Sequence, residues 1–471
     1  MTPVGLMDWF RRLLGRGRTR PVRRQLQTEF DLKAFAPWPE GGHLVGGAVR
    51  DALLGQETAD LDWLVAQPER AASLAARLLD GAHFALDEQR GYWRVVTGGH
   101  IRDYLALRGT LEDDLKRRDF TVNTLALSAS GEIIDVCGGL ADLQAGVLRM
   151  TGEEQLRSDP LRLLRGVRLA TVHQLELAAV TAETITALAG ELAAGELPLP
   201  AWERSRAELD QILLCDGAPR GLRLLDELGL FEPFLPELSA CRAVDQGGMH
   251  HVDVLGHQID TVAQLLHFFP DADLSLRWAA LLHDVGKPAT RTVDEGELGR
   301  IRFHGHERVG ADIARQLLMR LRHPSARVER VAQLVRRHMQ PLPQDEKATR
   351  RFIHRYGELL PDLLRLMIAD REATRGRLST EAGRNRYRLA VGRVLEQLDS
   401  VPPEPEPPLL SGAELMELLG LEPGPRVGQA VRYLAELQAV GDAQTVEQAK
   451  EHLLEYARVQ WPDLRDEVEP G

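Results

Sequence analysis

The chain of 471 residues is poor in cysteine, poor in aromatic side chains and devoid of long apolar runs. Its three cysteines, Cys137, Cys215 and Cys241, are odd in number and far apart, which excludes a disulfide framework and leaves no cysteine zinc site. Aromatics at 5% argue against an all-β fold and for a mostly helical one. No window approaches the roughly 18 uninterrupted apolar residues of a membrane span. The N-terminus has no apolar stretch followed by a small-residue cleavage site, so a soluble protein of a reducing cytoplasm, with no membrane partner, is expected. An excess of positive charge is also missing. The 58 Lys+Arg against 70 Asp+Glu leave −12, which repels a polyanion at long range and confines any nucleic-acid contact to local patches.

What is present is enough chain for about three domains. Residues 1–30 read as a basic tail, carrying Arg11, Arg12, Arg16, Arg18, Arg20, Arg23 and Arg24 against Asp8. Residues 31–148 alternate strand-like and helical patterns and read as an α+β domain. Spacings of three and four predict an all-helical region over 149–240 and a further helical domain over 241–398, with a hairpin at Thr290 to Phe303. Val401-Pro-Pro-Glu-Pro-Glu-Pro-Pro408 is too proline-dense for helix and marks a linker over 399–410. A helical tail domain, 411–471, closes the chain.

Asp60 and Asp62 flank Leu61 in a strand-like run, and the period of two puts both carboxylates on one face. Such a pair can hold Mg²⁺ against a triphosphate, although an isolated Asp-x-Asp is more often an exposed acidic turn. Upstream, Gly46-Gly47 lets backbone N–H groups approach phosphate oxygens, and Arg50 adds a fork of donors. Asp103, on a later strand-like segment, is suited to a third carboxylate.

The run His43-Leu-Val-Gly-Gly-Ala-Val-Arg-Asp-Ala-Leu-Leu-Gly55, followed by Asp60-Leu-Asp62, resembles the bacterial class II tRNA nucleotidyltransferase and poly(A) polymerase family. Arg117-Arg-Asp-Phe-Thr-Val-Asn-Thr-Leu-Ala126 resembles its ribose motif, and Asp135-Val-Cys-Gly-Gly-Leu-Ala-Asp142 its hinge. Asp159-Pro-Leu-Arg-Leu-Leu-Arg-Gly-Val-Arg168 resembles its nucleotide-selecting helix. The resemblance spans roughly residues 40 to 460 in the family's order. It implies a polymerase-beta-like α+β nucleotidyltransferase head followed by mostly α-helical domains, and catalysis at Asp60, Asp62 and Asp103 with Mg²⁺. It also implies nucleotide binding by Gly46, Gly47, Arg50, Arg118, Asp119, Asn123, Asp159, Arg162, Arg165 and Arg168. Asp119 and Arg118 are placed near the ribose. Asp159 and Arg162, three apart on a predicted helix, are placed at the Watson–Crick edge of the base. The family often has Glu before this Asp, where this chain has Ser158. Glu203, Arg204 and Glu208 resemble a later supporting motif, and Arg204, Arg206, Arg220 and Arg223 are candidates for tracking the RNA backbone.

The implied substrates are tRNA, CTP and, as an open alternative, ATP. In CCA-adding relatives a flexible loop follows the third-carboxylate strand. The segment from Asp103 to Arg117 leaves no room for one, which leans towards CC addition. A-adding and poly(A)-adding readings stay open.

A second constellation surrounds His283-Asp284. The order His257, His283, Asp284 and Asp370 resembles the metal ligands of an HD phosphohydrolase domain, with His306, His338 and Lys287 as further site residues. This set suits a divalent transition metal (Ni, Mn, Co or Fe) or Mg²⁺. The resemblance thus implies a second, phosphohydrolase activity. A competing reading of another class is an HD phosphohydrolase whose N-terminal domain only binds RNA.

Overall fold

The computed structural model describes residues 26–462 other than 28, 59, 248–251, 295–300, 377–378 and 401–406. Most of the expected basic tail and the centre of the expected proline linker lie outside the described residues.

The head is a seven-stranded mixed sheet. Its strands are β1 His43–Val45, β2 Asp60–Val65, β3 Ala82–Asp87, β4 Tyr92–Thr97, β5 His100–Ala106, β6 Leu125–Leu127 and β7 Ile133–Asp135, in the order β3-β4-β5-β2-β1-β6-β7. Helix α1, Gly47–Leu53, and α2, Pro68–Leu78, pack against it. Strand parity divides the sheet. Leu44, Leu61, Trp63, Val95, Tyr104 and Leu125 alternate onto a face that joins the main core. Val45, Leu64 and Ala126 alternate onto the other, where Leu115 of α3, Leu111–Lys116, covers a small apolar cluster.

The remainder is helical: α4 Gly139–Ala145, α5 Glu153–Ser158, α6 Leu161–Val172, α7 Ala179–Ala193, α8 Trp202–Leu214 and α9 Ala218–Glu227 lead into α10 Val254–Phe268 and α11 Leu274–Leu282. Helices α12 His306–Arg320, α13 Ser325–Arg337, α14 Glu346–Tyr356, α15 Leu360–Ala373 and α16 Glu381–Ser400 follow. The expected all-helical region 149–240 holds one strand, β9, Glu176–Leu177, which pairs in parallel with β8, Val147–Leu148, at the end of the head. In the expected hairpin, β10, Thr292–Val293, pairs antiparallel with β11, Ile301–Arg302.

One continuous core of buried residues runs from Phe35 to Leu395. A separate core lies in α17 Gly412–Leu419, α18 Pro425–Val440 and α19 Val446–Gln460, with capping boxes at Ser411 and Thr445 setting two of the helix starts. Among the described residues, no helix is long and apolar enough to cross a membrane.

Candidate functional site

The sheet register brings the three carboxylates together. Asp62 and Asp103 are Cα partners across the parallel β2–β5 pair, and Asp60 stands two residues before Asp62 on the same face. Burial first, then the neighbouring Asp103 and Asp60, push the Asp62 carboxyl above its ordinary range, while Arg118 pulls it down. A group of carboxylates that resist being charged together is a donor set that a hard divalent cation relieves. Asp103 is gripped by Arg94 of β4 through two 2.8 Å bonds, from Nε to Oδ1 and from Nη2 to Oδ2.

The glycine turn lies one strand away. Gly46 has φ 73° and caps α1, and a Cβ there would stand 2.6 Å from Nη1 of Arg118. Arg118 therefore rests directly on the turn, and Arg50 lies over Gly47, where an added Cβ would be 3.4 Å from its Nη2. Buried Arg50 is fixed by donating to Asn123 Oδ1 at 2.6 Å and to Asp51 Oδ1 at 2.8 Å. Two guanidinium groups thus stand over a side-chain-free turn, a cradle whose chemistry suits phosphate oxygens.

Asp119 is the hub behind this cradle. Its Oδ1 accepts from the Phe120 N–H at 2.9 Å and from Asn123 Nδ2 at 2.8 Å, and its Oδ2 accepts from Arg165 Nη1 at 3.2 Å. Burial alone would raise this carboxyl, but Arg165 and the Asn123 hydrogen bond hold it below the usual range. Arg165 also reaches Glu208 Oε1 at 3.2 Å, and Arg168 Nε reaches Glu208 Oε2 at 2.5 Å, so buried Glu208 of α8 clamps two of the three arginines of α6.

Asp159 and Arg162 depart from the expectation of a shared helical face. Pro160 disfavours helix in the residue before it, so Asp159 is extended (φ −140°, ψ 91°) and α6 begins only at Leu161. Asp159 pairs with Arg204 at 2.8 Å, while Arg162 donates to the Gln155 carbonyl at 2.8 Å. The arginines expected along the RNA also have protein partners. Arg206 donates to the Arg322 carbonyl, Arg220 to the Ala170 and Leu175 carbonyls and to Glu176, and Arg223 pairs with Asp260 at 2.7 Å. Arg220 in particular is a staple between elements.

The second cluster is buried at the junction of α10, α11, α12, α13 and α15. Nδ1 of His283, His306 and His338 each contacts the carbonyl three residues earlier, of Ala280, Phe303 and Val335, at 2.9, 2.8 and 2.7 Å. A proton held on Nδ1 leaves each Nε2 free to bind metal. Asp284 joins two groups. Its Oδ2 lies 3.2 Å from His283 Nε2 and 3.6 Å from His257 Nε2, and its Oδ1 lies 3.2 Å from His306 Nε2 and 3.7 Å from His338 Nε2. These two triads each converge tightly enough to hold an ion. Asp370 meets His257 at 3.0 Å, and Lys287 Nζ meets Asp284 Oδ2 at 2.6 Å. Burial would raise Asp284, yet His283 and Lys287 hold it well below the carboxylate range. Burial pushes His338 down, towards its neutral, ligating form. Gly286 allows the approach of α12: a Cβ there would stand 2.2 Å from the His306 carbonyl and 2.5 Å from the Gly310 nitrogen.

Asp60, Asp62, Asp103, Gly46, Gly47, Arg50, Arg118, Asp119, Asn123, Arg165 and Arg168 thus lie in the head and on the adjoining α6, and His257, His283, Asp284, Lys287, His306, His338 and Asp370 in the buried histidine–aspartate cluster, whereas Asp159 and Arg162 are each held by other partners. Arg94 was not foreseen. Its strand was legible, but its place beside Asp103 follows from pairing across β4 and β5, which no local pattern encodes.

Residues 102–149 match the poly A polymerase head domain, residues 174–241 the probable RNA and SrmB-binding site of polymerase A, and residues 254–375 the HD domain. The chain is similar to the A-adding tRNA nucleotidyltransferase of Deinococcus radiodurans, 51% identical over 421 residues, covering 89% of this chain and 96% of the relative. It is 48% identical over 416 residues to the CC-adding tRNA nucleotidyltransferase of Thermus thermophilus, covering 88% and 94%. In fold it is like the Bacillus stearothermophilus CCA-adding enzyme in complex with CTP, with a TM-score of 0.62 at 24% identity over 90% of this chain and 94% of that one. Agreement of this extent with two full-length enzymes, together with the head and HD matches, means that the chain belongs to the tRNA nucleotidyltransferase and poly(A) polymerase family and carries an HD domain.

Proposed function

We propose that the chain adds CMP from CTP to the 3′ ends of tRNA in the cytoplasm, releasing pyrophosphate and stopping after CC. The glycine turn with Arg118 and Arg50 receives the triphosphate. Asp119 and Asn123, tensioned by Arg165, face the ribose, and Asp159 and Arg162 offer an acceptor and a fork of donors to the base. Asp60, Asp62 and Asp103 would hold Mg²⁺, which when bound offsets the charge that develops during phosphoryl transfer.

The observation that carries the choice of CC is the segment after Asp103. Strand β5 ends at Ala106, and Thr110 and Asp113 form a capping box that starts α3 at once. Leu115 is buried, and Arg117 Nη2 closes back on the Arg108 carbonyl at 2.9 Å. Nothing there resembles a free loop that could re-aim the base-reading pair from C to A. The likeness to an A-adding relative favours a second reading, addition of A to ends already bearing CC. Purified protein given tRNA lacking its end, or ending in CC, with CTP, ATP or both, separates them by product size. Two added C residues and no A is the expected result; one A on the CC end, or a completed CCA, overturns it.

The HD cluster is proposed as a phosphohydrolase centre for terminal or 2′,3′-cyclic phosphates on RNA, using Ni, Mn, Co, Fe or Mg²⁺. Support comes from three histidines with Nε2 directed inward and from Lys287 as a counter-charge near phosphate. Phosphodiester cleavage after metal loading, retained in Asp60→Ala and lost in His283→Ala, is expected, whereas incorporation of CMP should show the opposite pattern. Hydrolysis surviving His283→Ala would refute the assignment.

A further inference from the structure

The catalytic face of the sheet continues past the carboxylates. Val45, Asp62, Asp103, Arg94 and Phe84 are successive Cα partners across β1, β2, β5, β4 and β3, so they stand in one row on one face. The row has direction. The glycine turn with Arg50 and Arg118 adjoins its β1 end, and Phe84 ends it on the edge strand, 47% exposed. Val96, on the same face of β4, is 40% exposed. An apolar patch beginning where a charged active site ends calls for an occupant.

We propose that Phe84 and Arg94 seat the acceptor end of the RNA, Phe84 as a stacking face for the base before the terminal nucleotide and Arg94 as a contact for the intervening phosphate. The inference rests on the reading of this face as a nucleotidyl-transfer centre. In an in-line displacement the attacking hydroxyl lies opposite the leaving pyrophosphate. With the triphosphate cradled beside β1, the acceptor strand must reach Asp103 from the side of β4 and β3. Strands are about 4.8 Å apart, which puts Phe84 about 10 Å beyond Asp103, within reach of the last nucleotides of an arriving strand. Charge agrees with this occupant. Arg94 spends Nε and Nη2 on Asp103, leaving Nη1 without a partner among the described residues, in a side chain one-third exposed. An aromatic face accepts any base, as suits a protein whose substrates differ in sequence but share an end.

The test uses the full-length protein, a tRNA transcript lacking its end, and the same RNA with 2-aminopurine before its terminal nucleotide. Phe84→Ala and Phe84→Leu are expected to raise the KM for RNA about tenfold, which is about 1.4 kcal/mol. The affinity for CTP, measured by direct binding, should not change. Both variants should also lack the quenching of 2-aminopurine expected on binding to the parent protein, and Phe84→Trp should restore quenching and KM together. Arg94→Gln should weaken binding of the intact acceptor end while leaving binding of an RNA shortened by two nucleotides unaltered. An unchanged RNA KM and unchanged quenching in Phe84→Leu would overturn the proposal. So would a parent dimer, seen by light scattering, that Phe84→Ala dissociates, because the patch would then belong to a second copy. If the parent protein extends no RNA at all, the underlying reading fails instead, so the two failures are distinct.

Discussion

Replacing Asp119 by asparagine removes one negative charge and exchanges one acceptor oxygen for an NH₂ donor while keeping the outline of the side chain. The oxygen of the new amide, placed where Oδ1 now lies, can keep the bonds from the Phe120 N–H and Asn123 Nδ2, at 2.9 and 2.8 Å. Its NH₂ then opposes the Arg165 Nη1 that now donates to Oδ2 at 3.2 Å. The loss is one buried, charge-assisted hydrogen bond, about 1.5–3 kcal/mol. Arg165 is left to Glu208 alone, and in the proposed function the ribose loses an acceptor. At 1.4 kcal/mol per decade this is a fall of about 10- to 100-fold in kcat/KM for CTP, with a smaller preference for CTP over dCTP. Single-nucleotide incorporation with either triphosphate measures both. Arg165→Gln alone should do similar harm, and the double variant should be little worse than either single one, because both remove the same bond. A preference for CTP over dCTP that survives Asp119→Asn unchanged, or fully additive losses in the double variant, would refute this account.

Two further outcomes follow from the packing. Gly286→Ala forces a methyl against the backbone of His306 and Gly310, an overpacking that costs about 1–3 kcal/mol and pushes α12 away; isothermal titration should show weaker Mn²⁺ or Ni²⁺ binding at the HD cluster while CMP incorporation stays intact. His323 is buried against Trp278 and faced by Arg327, Arg206 and Asp210; burial first, then the two arginines, push it down to about 4. Its folded pKa lies below the unfolded value of about 6.5, so the unfolded chain binds more protons between these values and stability is lost as pH falls through that window. Relative to His323→Asn, the parent should lose on the order of 1–2 kcal/mol more between pH 7.5 and 5, read from melting at each pH; parallel melting curves would refute it.

Much of both centres was legible because their chemistry sits in contiguous runs. Gly46-Gly47 with Arg50, Asp60-x-Asp62 and His283-Asp284 each needs only local backbone to bring its groups together. What escaped depends on partners far along the chain. The parity of β2 puts Asp60 and Asp62 on one face, but only the parallel pairing with β5 puts Asp103 opposite Asp62 and Arg94 beyond it. The i,i+3 reading of Asp159 and Arg162 failed at Pro160, a signal that was in the sequence and outweighed the helical periodicity. The arginines of α8 and α9 were hard to read for another reason: a guanidinium serves a phosphate or a carbonyl oxygen equally well, and composition does not say which. Arg220 found the carbonyls of Ala170 and Leu175.

The last helices have their own apolar interior and meet the rest of the protein through charge. Lys347 pairs with Asp442 at 2.7 Å, and Arg351 and Arg355 share Glu436 at 2.7 and 3.4 Å. A joint of this kind loosens with ionic strength while the greasy interiors on either side do not. The C-terminal module is therefore joined through charge that salt can screen, and its tilt can drift with ionic strength while the two buried centres keep their geometry.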